Sequence, residues 1–344
     1  MNDKTVKILK SLFWALLAVA LLWFSFRGVD WAEFKHVLLA SRWGYVLLAM
    51  VAGIVAFVIR SLRWRLLMLP VDPDIKRIDC YDGFAIGRLC DLVVPHVCEF
   101  VRCGYVLSPR MTYDKALGTV VLERAWDIIM LALLILVLLL FRGDQYGAFF
   151  AERIFNPVAD KLGISPLKLL FVFLFLALVV CLAFYVWHRI RARRPQPVTD
   201  ASPESQKTSL SGRIAGFLRG IGQGFTSFLK MKGKGWFLLL TLSLWFMYLM
   251  MSWFIIKALP EDLGLNLVDA LFIMLVGSVA GIVPVPGGFG AFHYIVALAL
   301  QTLYAIPFET GIIFATLSHE SQTIALIVCG LISYAHQTLR RRRR

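Results

Sequence analysis

The chain has 344 residues, of which 59% are hydrophobic and only 17% charged, and it carries a net charge of +14. Soluble domains are about 45–50% apolar and 25% charged, so a fold of this length in water could not hide so much apolar surface, and the soluble enzyme classes are largely excluded. The composition is that of an all-α, polytopic membrane protein, and its 10 Trp and 26 Phe suit lipid-facing and interfacial positions.

Six segments are long and apolar enough to span a bilayer: Val6–Phe26, Gly44–Ile59, Gly118–Phe141, Pro166–Trp187, Gly235–Ala258 and Phe308–Tyr334. The first follows Lys4, Lys7 and Lys10 and has no small-residue cleavage site, so it is expected to remain as an uncleaved helix. The second runs into RSLRWRLLM, whose Arg60, Arg63 and Arg65 are expected to snorkel to the interface.

Two further apolar stretches are interrupted. Phe84–Leu107 contains Pro95 together with Arg88, Asp91, His96, Glu99 and Arg102, and Leu267–Leu303 is broken by GIVPVPGGFG. Treating both as re-entrant helical hairpins, with the N-terminus in the cytoplasm, puts most of the 36 basic residues on the cytoplasmic side, including residues 189–234 and Arg340–Arg344. The hairpins then enter from opposite sides. GRLCDLVVPH and GSVAGIVPVPG share a glycine, a small apolar run and a proline, so an inverted repeat is expected, with the hairpins facing each other across a midplane cavity.

The organisation read from this is an N-terminal membrane half (1–188) with a hairpin at 84–107, a basic cytoplasmic linker (189–234), and a C-terminal half (235–344) with a hairpin at 267–303. The linker begins with the disorder-type composition RARRPQPVTDASPESQKT. It continues as a basic amphipathic stretch suited to an anionic leaflet, or as an ordinary basic loop.

A charge at bilayer depth costs at least a few kcal/mol, so it is paired, hydrated or functional. Glu99 and Arg102 are three residues apart and share a helical face. They form either a self-neutralising pair or part of a site in which Arg88 and Arg102 hold a phosphate while Asp91 and Glu99 hold the arginines. Glu123 and Asp127 also share a face, with Arg124 about 100° away, and two such carboxylates need a cation, for which Arg102 or Arg88 is the expected partner. His319 and Glu320 lie inside the last span and are the candidates for proton coupling, with His293 just past the second break. In Pro284–Gly290, Pro284 and Pro286 break the helix, and Gly287, Gly288 and Gly290 allow unusual dihedrals. A helix restarting at Phe289 would aim its positive end at an anion. The six cysteines show no CxxC pair and no histidine at metal spacing, so they are read as small buried residues, and neither a metal nor a cofactor is expected.

Three motifs carry a family resemblance. GRLCDLVVPHVCEFVR is similar to a pattern in which a proline precedes GE-x-x-R, GTVVLERAWD to an E-R-x-x-D helix, and PVPGGFGAFH to a P-x-PGG-x-G-x-x-E turn. Together they resemble the lysylphosphatidylglycerol synthase transmembrane-region, or flippase-like, family. The resemblance implies a bundle with two opposed re-entrant hairpins that moves phospholipid between leaflets of the bacterial inner membrane. The headgroup would meet Arg88, Asp91, Glu99, Arg102, Glu123, Arg124, Asp127, Pro284, Pro286, Gly287, Gly288, Gly290 and His293. Cys98, Asp91 and His293 depart from the family's glycine, asparagine and glutamate. With no aminoacyl-transferase domain in the sequence, the expectation is a carrier and not an enzyme. Membrane lipids are the expected partners, nucleic acid is not, and a second copy or a lipid synthase remains open. The alternatives are a polyprenyl-phosphate translocase and a non-transporting membrane scaffold for a lipid or envelope synthase.

Overall fold

The computed structural model describes residues 31–155, Gly216, Gly220, Gly222, Gly224, and residues 227–342 apart from Pro284. The spans expected at Val6–Phe26 and Pro166–Trp187 lie outside the described residues, as does most of the linker. Every regular element among the described residues is helical. The longer helices are α1 (Trp31–Ala40), α2 (Trp43–Met68), α3 (Arg77–Asp91), α5 (Tyr113–Phe149), α7 (Lys234–Ala258), α8 (Leu267–Ala280), α9 (Ala291–Tyr304) and α10 (Phe308–Arg342). Two single turns, α4 (Cys98–Val101) and α6 (Ser227–Lys230), the 3-10 turns Arg102–Tyr105 and Pro286–Gly288, and the π-helical segment Phe150–Phe155 complete the order. Among the described residues four helices are long and apolar enough to cross a membrane, namely Trp43–Met68, Tyr113–Glu152, Lys234–Ala258 and Phe308–Arg340, and they coincide with four of the six expected spans.

The chain divides into two compact units, one holding residues up to Leu66, Asp74–Val106 and Gly233–Arg344, the other Leu67–Pro73 and Leu107–Lys232. In the second unit α5 is the main element. Its helix bends where Arg142 leaves helical geometry (φ −144°, ψ 35°). Gly224 lies so close to it that any side chain there would overlap the Lys115 carbonyl oxygen, and Phe228 packs on Trp126 with ring centroids 5.0 Å apart. Gly220 and Gly224 of the basic stretch therefore lie against the first turns of α5.

In the first unit α2 and α7 run antiparallel. The Arg42 amide donates to the Ala258 carbonyl (2.7 Å) at one end, and Arg60 Nη1 donates to the Tyr248 hydroxyl (2.9 Å) further along. Arg63 is fully buried over the Phe237 ring, 5.8 Å from its centroid, and Arg65 Nε donates to the Ile75 carbonyl (2.7 Å). These three arginines thus turn into the protein instead of snorkelling outward, because aromatic faces and a free carbonyl lie within reach of their stems.

α10, about 52 Å long at 1.5 Å per residue, is the longest element of this unit. A Cβ at Gly330 would lie 3.0 Å from Leu89 Cβ and 3.2 Å from the Ala85 carbonyl oxygen, and one at Gly311 would lie 2.8 Å from Ala297 Cα. Small residues thus let α3 and α9 approach different parts of the same helix. The outward side of α10 exposes Ile324, Val328, Leu331 and Ile332 at helical spacing, an apolar stripe suited to lipid. The chain is a multi-pass membrane protein.

Replacing Gly330 by Leu forces α3 away from α10, a misfit of about 1–3 kcal/mol, and should lower the thermal midpoint in detergent. Gly235→Ala, at a helical glycine with open space around its Cα, should leave it unchanged or raise it slightly.

Candidate functional site

The first interrupted stretch is an antiparallel helix–bend–helix. Gly83 faces Tyr105 and the Arg102 carbonyl, while Gly87 faces Cys98, so the short arm (α4 and the 3-10 turn Arg102–Tyr105) folds back along α3. Asp91 closes the bend. One carboxylate oxygen accepts the Cys98 amide (2.7 Å) and the other accepts Arg88 Nη1 (3.0 Å). His96, at the bend, takes a left-handed conformation (φ 59°), which costs a residue bearing a Cβ some strain.

The second stretch folds in the same way. Tyr304 donates its hydroxyl to Asp269 (2.8 Å) at the open end, and Gly277 lies against the Phe292 ring near the bend. Asn266 caps α8 through the Val268 and Asp269 amides, and Asp269 returns the bond to the Asn266 amide (2.8 Å), a reciprocal capping box. In the bend, Gly287, Gly288 and Gly290 all have positive φ (61°, 81° and 80°), as their spacing around the break anticipates. Pro286 is buried and opens a 3-10 turn (Pro286–Gly288), while Pro284 lies outside the described residues. The helix restarts at Ala291, two residues later than expected, because Gly290 at φ 80° cannot be helical. Two amides of the turn are used internally, Gly288 to Val285 (3.1 Å) and Phe289 to Pro286 (3.2 Å). α9 then starts after Gly290, whose N-cap position carries no side-chain cap.

The two bends approach each other along α10 from opposite ends. At the C-terminal end of α10, His336 and Gln337 both hold Asp82 of α3 (2.6 and 2.7 Å), and Arg340 pairs with Asp79. α3 then runs back along α10, past Gly330, to its own bend at Leu92. α9 joins α10 at the other end through Ala305, left-handed at φ 53°, followed by Pro307. The tips meet in direct contact: a Cβ at Gly287 would lie 3.3 Å from Leu92 Cδ2. At that level His319 Nε2 donates to the Gly287 carbonyl (2.8 Å), while His319 Nδ1 and His293 Nε2 lie 3.1 and 3.5 Å from Glu320 Oε1. A cavity of about 350 Å³ lies away from the tips, lined by Tyr105, Tyr334, Gln337, Thr338 and Arg342.

Within the first unit the expected site residues fall in three groups. His293, His319, Glu320 and Gly287 come together at the tips. Arg88 and Asp91 pair at the adjacent bend, and the Arg88 side chain is 44% exposed. Arg102 pairs with Glu99 (2.6 Å) and is fully buried, its guanidinium 4.6 Å from the Trp64 ring centroid. Glu123, Arg124 and Asp127 belong to the second unit. There Asp127 takes its cation from its own helix, Arg124 Nη1 at 3.3 Å, and Glu123 is buried. The sequence reading missed the Asp82–His336 and Asp79–Arg340 ties, since more than 250 residues separate the partners. Cys80, Cys98, Cys103 and Cys329 are buried as expected, whereas Cys90 is partly accessible.

The amino-acid sequence matches the family model for the Lysylphosphatidylglycerol synthase TM region over residues 11–330. The chain belongs to that family. No curated protein matches it.

Asp91→Ala removes a charge-assisted bond from the buried Cys98 amide and leaves that donor without its carboxylate. The expected cost is about 1.5–3 kcal/mol, read as a lower unfolding midpoint in detergent and faster amide exchange across residues 92–101.

Proposed function

We propose that this lysylphosphatidylglycerol synthase TM-region protein is a lipid translocase of the bacterial cytoplasmic membrane. It takes the phosphate-bearing headgroup of a phospholipid to the meeting point of the two bends and passes it between leaflets, without chemical change to the lipid. The observation that carries this reading is the direct meeting of two broken helices that reach the same level of α10 from its opposite ends.

The lengths support the arrangement. α8 and α9 have 14 residues each, about 21 Å, too short for a hydrocarbon core of about 30 Å. Hairpins of that depth bring their bends near the midplane. Backbone that is not helical is tolerated there only when it is buried in protein or lines a wet cavity. With α10 ending at its arginine-rich tail in the cytoplasm, the first hairpin opens to the cytoplasm and the second to the outer side, the arrangement of an inverted repeat around a shared site.

Within the site the roles follow exposure. Arg88, accessible and oriented by Asp91, is the residue for the phosphate. Arg102, enclosed by Trp64 and Glu99, stabilises the hairpin instead. The start of α9 offers the second anion contact, through its N-terminal amides.

The test is reconstitution into liposomes carrying labelled anionic phospholipid, zwitterionic phospholipid or polyprenyl phosphate. Wild type should move one lipid class between leaflets, and Arg88→Ala should slow that class by about tenfold or more, the weight of one charge-assisted contact. Movement of polyprenyl phosphate alone would replace the phospholipid with that carrier. If correctly folded protein moves none of them, the translocase reading is wrong and a scaffold role takes its place.

A further inference from the structure

We propose that His293, His319 and Glu320 form a binding site for a divalent transition-metal ion of the zinc class. Each residue offers one ligand atom, and the three atoms lie within 4.8 Å of one another. Tetrahedral bonds of about 2.0–2.1 Å place neighbouring donor atoms about 3.3 Å apart. Glu320 Oε1 is 3.1 Å from His319 Nδ1 and 3.5 Å from His293 Nε2, one on either side of that separation.

The hydrogen bond on the far side of the His319 ring sharpens the case. A carbonyl oxygen can only accept, so His319 Nε2, 2.8 Å from the Gly287 oxygen, carries a hydrogen. In neutral imidazole the other nitrogen, Nδ1, then has a lone pair. That lone pair faces a carboxylate oxygen, an arrangement of two acceptors that is repulsive unless a cation lies between them. A backbone carbonyl holding the outer N–H of a ligating histidine is also the usual way such a ring is oriented and its tautomer fixed.

The remaining features suit a metal with an open position. His293 is fully buried and supplies a ligand from α9, while His319 and Glu320 supply theirs from α10. Phe289 and Phe292 pack around His319, with centroids 5.0 and 5.4 Å from its ring, and restrict water on that side. Glu320 keeps a side-chain exposure of 35%, so a fourth ligand can reach the ion from outside. Two imidazoles and one carboxylate favour zinc-like ions over calcium or magnesium, which prefer oxygen-only shells. The bound ion would fix the Gly287–Gly290 turn against α10 through His319. The sequence gives no hint of this, because the ligands lie on two helices and show no motif spacing.

The proposal stands apart from lipid transport, and its test does not use transport. Full-length protein with a histidine-free affinity handle is stripped with chelator, placed in lipid nanodiscs and titrated with Co²⁺. About one equivalent per chain should bind with the visible d–d absorption of a low-symmetry site, and Zn²⁺ should displace it. Zn²⁺ should also raise the thermal midpoint of wild type. Both signals should vanish in Glu320→Gln, whose half-exposed position tolerates the change, and in His293→Gln, and should persist in His336→Ala. Absence of the band from folded wild type, or its survival in Glu320→Gln, overturns the metal site. In the first case a proton on the imidazole is the cation between His319 and Glu320.

Discussion

A helix that breaks inside an apolar medium leaves amides and carbonyls that water cannot reach, each worth several kcal/mol if left unsatisfied. The two interrupted helices of this protein satisfy groups at their breaks from within the protein. In the first, the Asp91 carboxylate takes the amide that restarts the short arm. In the second, the turn closes on itself through Gly288 and Phe289, and its Gly287 carbonyl is taken by His319. The supports differ in kind: one is a carboxylate of the hairpin's own helix, the other an imidazole from α10.

This places α10 at the centre of the first unit. Its small residues admit α3 and α9 closely, its last turns grip the start of α3 through two carboxylates, and its histidine holds the tip of the second hairpin. Charge is managed by the same economy of contacts. Arg63 and Arg102 are enclosed by aromatic faces, and Arg102 is also held by Glu99. Such pairing suits guanidinium, which is weakly hydrated and stacks on rings.

Hydropathy alone locates the four described spans, because an apolar run of about 20 residues has few other uses. The interrupted stretches are also legible, since Pro95 and the Pro-Gly-Gly run cannot continue a helix, and the family pattern follows from the same residues. What the sequence does not disclose is side-chain direction. Arg60, Arg63 and Arg65 read as interfacial anchors because snorkelling is the default for a basic residue near a helix end, yet aromatic partners on α7 draw two of them inward. Asp127 reads as needing a cation from elsewhere, yet Arg124 swings round its own helix to meet it. The meeting of His293 with Glu320 depends on how α9 crosses α10, which no local spacing encodes.

The uneven accessibility of the cysteines has a practical side. Among the described residues four thiols are sealed in the interior, while Cys90 sits partly open one residue before Asp91. A thiol-directed label therefore has a native attachment point at the first bend, with no engineered cysteine and little competition from its described neighbours. The chain carries its own reporter beside the place where its two broken helices meet.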